Sequence, residues 1–168
     1  MNLSWDAYFA GLLVHVAVKS KDPHTQIGAV IVGPDREIRS TGYNSFPRGL
    51  NDSVQERLQR PEKYFWMEHA ERNAIYNAAR CGTQLKGCTL YVNSVPCIDC
   101  ARGIVQAGIA ELVVCDSSDA EHKSRWQESY KRTEILLEEC GVHVRHIEVD
   151  MPLKTHPPTT EAVEDKVK

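Results

Sequence analysis

The sequence predicts an α/β protein in which a mixed sheet of about five strands lies between two layers of helices. Three observations support this prediction. Two apolar runs early in the chain are separated by a turn sequence, which is typical of an antiparallel hairpin. Three later strands alternate with helical segments, which is typical of right-handed parallel crossovers. Apolar residues make up 42% of the 168 residues, enough for one packed core.

The first half of the chain is predicted to contain a helix, the hairpin and a long connection. Residues 4–20 carry apolar side chains at helical spacing, and Ser4 is placed to cap the first turn. Residues 26–44 form two apolar runs around a Gly-Pro-Asp turn, so we expect the hairpin there. Residues 45–65 are polar and interrupted by prolines and a glycine, and a connection of that length in a compact domain usually has a function.

The second half alternates between helices and strands, and its helices end at glycines, which favour helix C-termini. The predicted elements are a helix at 69–81, a strand at 88–92, a helix at 97–108, a strand at 111–115, a helix at about 124–140 and a strand at 142–149. The prolines and charges of residues 151–168 predict a flexible tail behind a single domain at residues 1–150.

The charge balance argues against a protein that binds nucleic acid. The formal net charge is −3 and no long basic run appears, whereas sequence-independent binding to nucleic acid depends on clustered Lys and Arg. The long connection does hold a local basic group, which a solvated loop also explains. Its members are Arg48, Arg57, Arg60 and Lys63.

The N-terminal segment indicates neither a membrane anchor nor a secretory signal. Its apolar stretch contains His15 and is far shorter than the ~20 residues of a membrane span. We therefore expect a cytoplasmic protein with no membrane partner and with reduced thiols. In that compartment, closely spaced cysteines are metal ligands or redox groups before they are disulfides.

Two short motifs place potential metal ligands at the start of two helices. His69 and Glu71 open one helix, and Pro96 precedes Cys97 and Cys100 at the start of the next. Residues two apart point in nearly opposite directions in mid-helix, but a group above the open end of a helix is within reach of both. Helix N-termini also favour thiolates, and the sites of α/β proteins usually lie at the carboxyl ends of parallel strands.

One imidazole and two thiolates form a ligand set that suits tetrahedral Zn²⁺. Three protein ligands leave the fourth position to water, whose pKa zinc lowers to about 7, and Glu71 is placed to move its proton. Two alternatives stay open: Cys97 and Cys100 are a redox pair, or Cys88 closes a structural zinc site. We predict that the cysteines outside the motif are core residues: Cys81, Cys88, Cys115 and Cys140.

Five segments narrow the comparison to one family. They are SKDPHTQIGAVIV (20–32), GYNSFPRG (42–49), HAERNAI (69–75), LYVNSVPCIDCARGIVQAGI (90–109) and LLEECGV (136–142). Their order and spacing resemble those of the deoxycytidylate deaminases over about residues 4–147. His-x-Glu followed by Pro-Cys-x-x-Cys is the signature of zinc deaminases in general. The N-terminal segments are closer to the deoxycytidylate branch than to the tRNA adenosine or free cytidine branches.

This resemblance implies a reaction, a metal and an assembly. The implied reaction is hydrolytic deamination of dCMP to dUMP and ammonia, with one catalytic Zn²⁺ per chain held by His69, Cys97 and Cys100. Glu71 is the implied catalytic residue, which shuttles protons while water attacks C4 of the cytosine. The implied fold is cytidine deaminase-like, and the implied assembly is a homo-oligomer, either a hexamer or a dimer.

The resemblance also implies residues that bind the nucleotide substrate. Asn44 matches the asparagine that family members direct at the nucleotide, and Ala29 lies at the strand end that lines the base pocket. Ser94 and Val95 supply the main chain expected beside the exocyclic amine.

Two departures from the family pattern concern a regulator and the phosphate. Ser45 stands where the family usually has glycine, in a loop that binds a dCTP or dTTP regulator in many members, so such regulation is left open. Residues 116–130 also differ, and Trp126 either stacks on the substrate or packs on the sheet, of which we expect packing. The phosphate ligands are open as well, with Arg48 and Lys19 as candidates.

Three other functions are alternatives. A similar zinc site serves deaminases of other nucleotides, nucleosides or bases, including cytidine, adenine and guanine types. It also serves deaminases of tRNA or single-stranded DNA, which take extruded bases into such a pocket. A zinc-stabilised binding module without turnover is the third alternative.

Overall fold

The computed structural model describes residues 2–115 and 120–148. The helices are α1 (Trp5–Ala17), α2 (Lys63–Trp66), α3 (Ala70–Cys81), α4 (Ile98–Gln106) and α5 (Ala120–Glu139), and the strands are β1 (Gly28–Val32), β2 (Ile38–Tyr43), β3 (Thr89–Val92), β4 (Glu111–Val114) and β5 (His143–His146). A short 3₁₀-helix, Gln55–Leu58, precedes α2. The predicted tail at 151–168 lies outside the described residues. No helix in the described ranges has the length and apolar character needed to cross a membrane.

The five strands form one mixed sheet in the order β2-β1-β3-β4-β5. The β1 strand pairs antiparallel with both β2 and β3, and β3, β4 and β5 are parallel. The hairpin therefore forms one side of the sheet and the crossover strands the other. The prediction of a three-layer α/β/α fold is confirmed, because helices cover both faces.

Each face of the sheet carries its own core. Every residue of β1 is buried, since this central strand has helices above and below it. On one face α1 packs against the sheet through Phe9, Leu13, Val30, Tyr91 and Val113. On the other face α3, α4 and α5 pack through Ile31, Ala74, Leu90, Ile104, Leu112 and Leu137. The two alternating sets of strand side chains thus fix each helix against one face.

The α3 helix lies unusually close to β2. A Cβ atom at Gly42 would stand 2.3 Å from both the Ala70 carbonyl oxygen and the Ala74 backbone nitrogen, so glycine is required there. The Ser40 hydroxyl donates a hydrogen bond of 2.7 Å to the Ala74 carbonyl. This contact places the first turn of α3, and with it His69, at the edge of the sheet.

Most element boundaries agree with the sequence prediction, and three differ. The Ser4 hydroxyl caps α1 by accepting a bond of 3.1 Å from the Ala7 N–H, as predicted. The connection 45–65 is not wholly irregular, because it contains the 3₁₀-helix and the start of α2. The α5 helix (Ala120–Glu139) is already formed ahead of the predicted start near 124, and β5 (His143–His146) is shorter than predicted, since among the described residues it pairs with β4, which ends at Val114.

The prediction that all four other cysteines lie in the core is half wrong. Cys88 and Cys115 are buried, whereas Cys81 and Cys140 are exposed at the C-terminal ends of α3 and α5. Helix ends project beyond the sheet, so apolar neighbours in sequence do not place these thiols in the core.

Arg145 joins three strands to α1 through a charged network. Its guanidinium donates to the Asp6 carboxylate at 2.8 and 3.1 Å and to Glu111 at 2.7 Å, and the Tyr91 hydroxyl also donates to Asp6. These bonds lower the pKa of Asp6. Burial acts to raise the pKa of Glu111, but hydrogen bonds from Arg145 and Thr89 outweigh it and lower this pKa too.

We expect Arg145→Met to lower the free energy of unfolding by about 1–2 kcal/mol, a value reduced for the partial exposure of the network. Carboxylates with a lowered folded pKa stabilise above their unfolded pKa and lose that effect as the pH falls. The difference between wild type and variant is therefore full at neutral pH and shrinks below about pH 4. Urea unfolding at several pH values measures it, with Arg132→Met as the control. A difference independent of pH would contradict this assignment.

Candidate active site

The predicted metal ligands converge between the N-termini of two helices. His69 is the N-cap residue of α3 and Cys97 the N-cap residue of α4, and both have extended backbone conformations. The His69 Nδ1 atom lies 3.4 Å from the Cys97 Sγ and 3.5 Å from the Cys100 Sγ. Residues that are widely separated in the chain therefore meet near the connection between the end of β3 and the start of α4.

These distances fit a tetrahedral metal ion. Zinc binds imidazole nitrogen at about 2.0–2.1 Å and thiolate sulfur at about 2.3 Å, which places such ligand atoms about 3.5 Å apart in a tetrahedron. Within the described ranges, His69, Cys97 and Cys100 are the whole of this metal-competent group. Cys88 does not join it: its thiol lies in the core, 3.9 Å from the Gln84 carbonyl oxygen. The arrangement of three ligands matches an open zinc site better than a closed structural one.

The two thiols are electrostatically unequal. A hydrogen bond from the Cys100 thiol, together with His69, lowers the pKa of Cys97 to about 4 despite burial. The same hydrogen bond and burial raise the pKa of Cys100 well above its usual range. The lowered pKa favours the thiolate form of Cys97, and a bound cation would displace the proton of Cys100.

Glu71 is the buried carboxyl group of the site. It lies in the first turn of α3, only 4% exposed, and lines the same cavity as His69 and Cys97. Desolvation raises its pKa, although the nearby His69 opposes this. A carboxyl group with a raised pKa can both accept and donate a proton near neutral pH.

A second layer of contacts holds His69 in place. The Glu68 carboxylate accepts hydrogen bonds from the His69 backbone N–H and from the Arg72 guanidinium. Ser45 and Glu68 pair through their backbones at 2.8 and 3.1 Å. Arg72 also lies 4.0 Å from Asp99 in the first turn of α4, so it links the two helix tips. Glu68 precedes the N-cap residue of α3 and lies four residues before Arg72, and this spacing is the only sequence signal for the layer.

The cavity contains several, but not all, of the predicted substrate contacts. Asn44, Ser94, Val95 and Trp126 line it together with the metal-site residues His69, Glu71 and Cys97. The Asn44 amide accepts a bond of 2.8 Å from the Ile27 N–H and donates one of 2.8 Å to the Thr25 carbonyl. Asn44 therefore also fixes the segment that leads into β1.

Three predicted contacts lie elsewhere. Ala29 does not line the cavity: it is fully buried in the core, because both faces of β1 are covered, and Ile27 lines the cavity instead. Lys19 is exposed after the end of α1 and is also absent from the lining. Arg48 borders a second pocket, where its guanidinium pairs with the Asn77 side chain. Ser45 lines that second pocket as well.

The N-terminal half of α5 forms one wall of the cavity. His122, Arg125, Trp126 and Tyr130 line it, and their spacing of three and four residues places them on one face of the helix. The Trp126 ring stands edge-on to the His69 imidazole, with centroids 5.8 Å apart. The expectation that Trp126 packs on the sheet is therefore wrong.

Polar contacts tie this wall to the rest of the cavity. The Tyr130 hydroxyl lies 3.3 Å from the Ser94 hydroxyl and 3.0 Å from the His122 Nε2 atom. The Ser129 hydroxyl accepts a bond of 2.9 Å from the Ile98 N–H at the start of α4. The helical spacing of polar and aromatic residues was the signal that would have revealed this wall from the sequence.

The connection before α3 is not a solvated loop throughout, because it contributes residues to the cavity. Arg60, Lys63 and Tyr64 line the cavity. Lys63 is buried, and its ammonium group lies 2.6 Å from the Asp22 carboxylate, which is buried as well. This ion pair fastens the connection to the segment that precedes β1.

Comparisons with known proteins agree with this geometry. Residues 3–116 match the family model described as the cytidine and deoxycytidylate deaminase zinc-binding region. The human deoxycytidylate deaminase is 41% identical over 148 residues, which cover 85% of this chain and 79% of the human protein. A protein of Aliivibrio fischeri described as an uncharacterized deaminase in the luxG 3′ region is 37% identical over 151 residues, covering 90% and 99% of the two chains.

Solved structures share the fold. The dCMP deaminase of the cyanophage S-TIM5, crystallised with dCMP and dUMP, aligns with a TM-score of 0.63 over 84% of this chain and 93% of that chain. Its 23% sequence identity makes this a likeness of fold alone. The family match and the identity to curated relatives extend to the segment that carries both motifs. The chain therefore belongs to the cytidine and deoxycytidylate deaminase family of zinc-binding proteins.

Proposed function

We propose that this protein catalyses the hydrolytic deamination of dCMP to dUMP and ammonia. The observation that carries the proposal is a metal-competent group of three ligands beside a buried carboxyl group, inside a cavity. The similarity to deoxycytidylate deaminases, which includes 41% identity to the human protein, supports dCMP as the substrate.

The proposed cofactor is one Zn²⁺ ion per chain, held by His69, Cys97 and Cys100. When bound, it acidifies water, which provides the nucleophile for attack on C4 of the cytosine ring. Its fit rests on the ligand spacing and on the lowered pKa of Cys97, which favours a thiolate ligand.

Glu71 is the proposed proton carrier. It accepts a proton from the attacking water and delivers it to N3 of the ring, and it then takes the proton of the new C4 hydroxyl and delivers it to the amino group, which departs as ammonia while the C4 carbonyl forms. Its buried position keeps bulk water from competing for these protons. Desolvation raises the pKa of this buried carboxyl group, which favours its proton-carrying form.

The surrounding residues are proposed to orient the base. Ser94 and Val95, directly beyond β3, present the main chain beside the exocyclic amine, and Trp126 closes the opposite side next to His69. Asn44 contacts the nucleotide while it holds the segment before β1. Homo-oligomeric assembly and a cytoplasmic location stay predictions from the sequence.

We expect the purified protein to bind one zinc ion per chain, and Cys97→Ser or His69→Ala to lose it, because two ligands cannot hold the ion tightly at neutral pH. Cys88→Ser is the control and should retain zinc, since Cys88 lies outside the ligand group. Metal analysis after dialysis measures the content. Loss of zinc in the Cys88 variant, or retention in the Cys97 variant, would overturn the ligand assignment.

We expect Glu71→Gln to keep its fold and zinc but to lower kcat for dCMP by at least about 10²–10⁴-fold, the usual cost of removing a positioned acid/base. Glu56→Gln, an exposed carboxylate in the 3₁₀-helix, is the control and should behave as wild type. Ammonia release measures turnover on a panel of dCMP, cytidine, dAMP, dGMP and guanine. Wild-type turnover of a purine but not dCMP would reject the substrate. Full activity of the Glu71 variant would reject its role.

A further inference from the structure

Two arginines from separate parts of the chain reach the same cavity and share one carboxylate. Arg60 comes from the connection before α2 and Arg125 from α5, and both line the cavity. Arg125 Nη1 pairs with Glu121 Oε1, and Arg60 Nη1 lies 3.7 Å from the same oxygen atom. The Glu121 side chain is 75% exposed. A single solvent-facing carboxylate oxygen therefore bridges two guanidinium groups of the cavity.

Lys63, a third basic residue in the cavity lining, is already paired with a buried carboxylate. Lys63 and Asp22 are both buried, and their charged groups lie 2.6 Å apart. Separating them would leave an uncompensated charge in the interior, which is strongly unfavourable. The counter-ion of Arg60 and Arg125 is exposed instead, so it can move into solvent at little cost.

The position of this pair suits a phosphate attached to a base that is bound beside His69. Trp126 follows Arg125 directly in α5 and stands 5.8 Å from the His69 imidazole, so one helix turn carries both the base wall and a guanidinium group. The two guanidinium groups give their part of the cavity lining positive charge, which favours a dianionic phosphate there.

We propose that Arg60 and Arg125 bind the 5′-phosphate of the substrate, and that Glu121 occupies their guanidinium groups until the phosphate displaces it. The proposal rests on the proposed function, whose substrate class it explains. Carboxylate and phosphate oxygens accept the same forked hydrogen bonds from arginine. Phosphate carries up to two negative charges and three acceptor oxygens, so it outcompetes a single exposed carboxylate. A nucleoside without phosphate cannot make this exchange.

The exposed pair Glu128 and Arg132 offers a matched control on the same helix. These residues are also four apart, and the Arg132 Nη1 atom lies 3.3 Å from the Glu128 carboxylate. Neither residue lines the cavity. Substitutions of this pair remove the same charges from α5 without touching the proposed phosphate site.

The test measures the dissociation constants of dUMP and deoxyuridine by calorimetry on the zinc-loaded protein, together with dCMP turnover. Arg60→Gln and Arg125→Gln are expected to weaken dUMP about 10- to 100-fold relative to deoxyuridine. Glu121→Gln is expected to tighten dUMP about two- to fivefold, because it removes the competing carboxylate. Arg132→Gln and Glu128→Gln should match the wild type.

Three results would overturn the proposal. Arginine variants that bind dUMP as the Arg132 control does would exclude the phosphate contact. A Glu121→Gln variant that binds dUMP more weakly than wild type would show that Glu121 supports the site rather than blocks it. A wild type that neither deaminates dCMP nor prefers dUMP to deoxyuridine would reject the proposed function as well. That result is distinct, because it appears in the unsubstituted protein.

Discussion

The approach of one imidazole to two sulfur atoms is the constraint on which the rest of the site depends. The His69 Nδ1 atom lies 3.4 Å from the Cys97 Sγ and 3.5 Å from the Cys100 Sγ only because α3 and α4 begin at the same place. Without a metal, the hydrogen bond between the two thiols lowers the pKa of Cys97 and, together with burial, raises that of Cys100, so two adjacent thiolates are disfavoured. A divalent cation removes that conflict and leaves a fourth coordination position towards the cavity. The acid/base chemistry of Glu71 has a purpose only beside that position.

The fold supplies this convergence with contacts distant from the metal. Glycine at position 42 lets α3 lie against β2, and the Ser40 hydroxyl ties down the Ala74 carbonyl. These contacts set the height of His69 above the sheet. The α4 helix starts where β3 ends, and the Thr133 hydroxyl of α5 donates a bond of 3.0 Å to the Pro96 carbonyl just before it. A rigid sheet thus presents both helix tips, while the cavity walls come from the connection before α3 and from α5.

The sequence was sufficient to predict the metal ligands and Glu71, but not the cavity wall that α5 and the connection before α3 form. His69 and Cys97 follow from local signals, because the start of a helix and the residues at its first turn lie within a few positions of each other. The bridge from Arg60 to Glu121 has no such signal, since it joins side chains from two distant segments. The family resemblance predicted Ala29 in the base pocket, because it lies at the end of a strand. Which neighbouring residue faces the cavity depends on how the helices cover that strand. The position of Trp126 in the cavity wall depends on how far α5 extends towards its N-terminus, and the sequence pattern predicted a helix only from about residue 124.

The cavity therefore combines a metal-ligand site and a buried acid with two arginines in one lining. X-ray absorption at the zinc edge of the metal-loaded protein tests the central claim most directly. An open site of one imidazole and two thiolates predicts two sulfur atoms at about 2.3 Å and two nitrogen or oxygen atoms at about 2.0–2.1 Å. Three or four sulfur ligands, or a shell of nitrogen and oxygen alone, would contradict it.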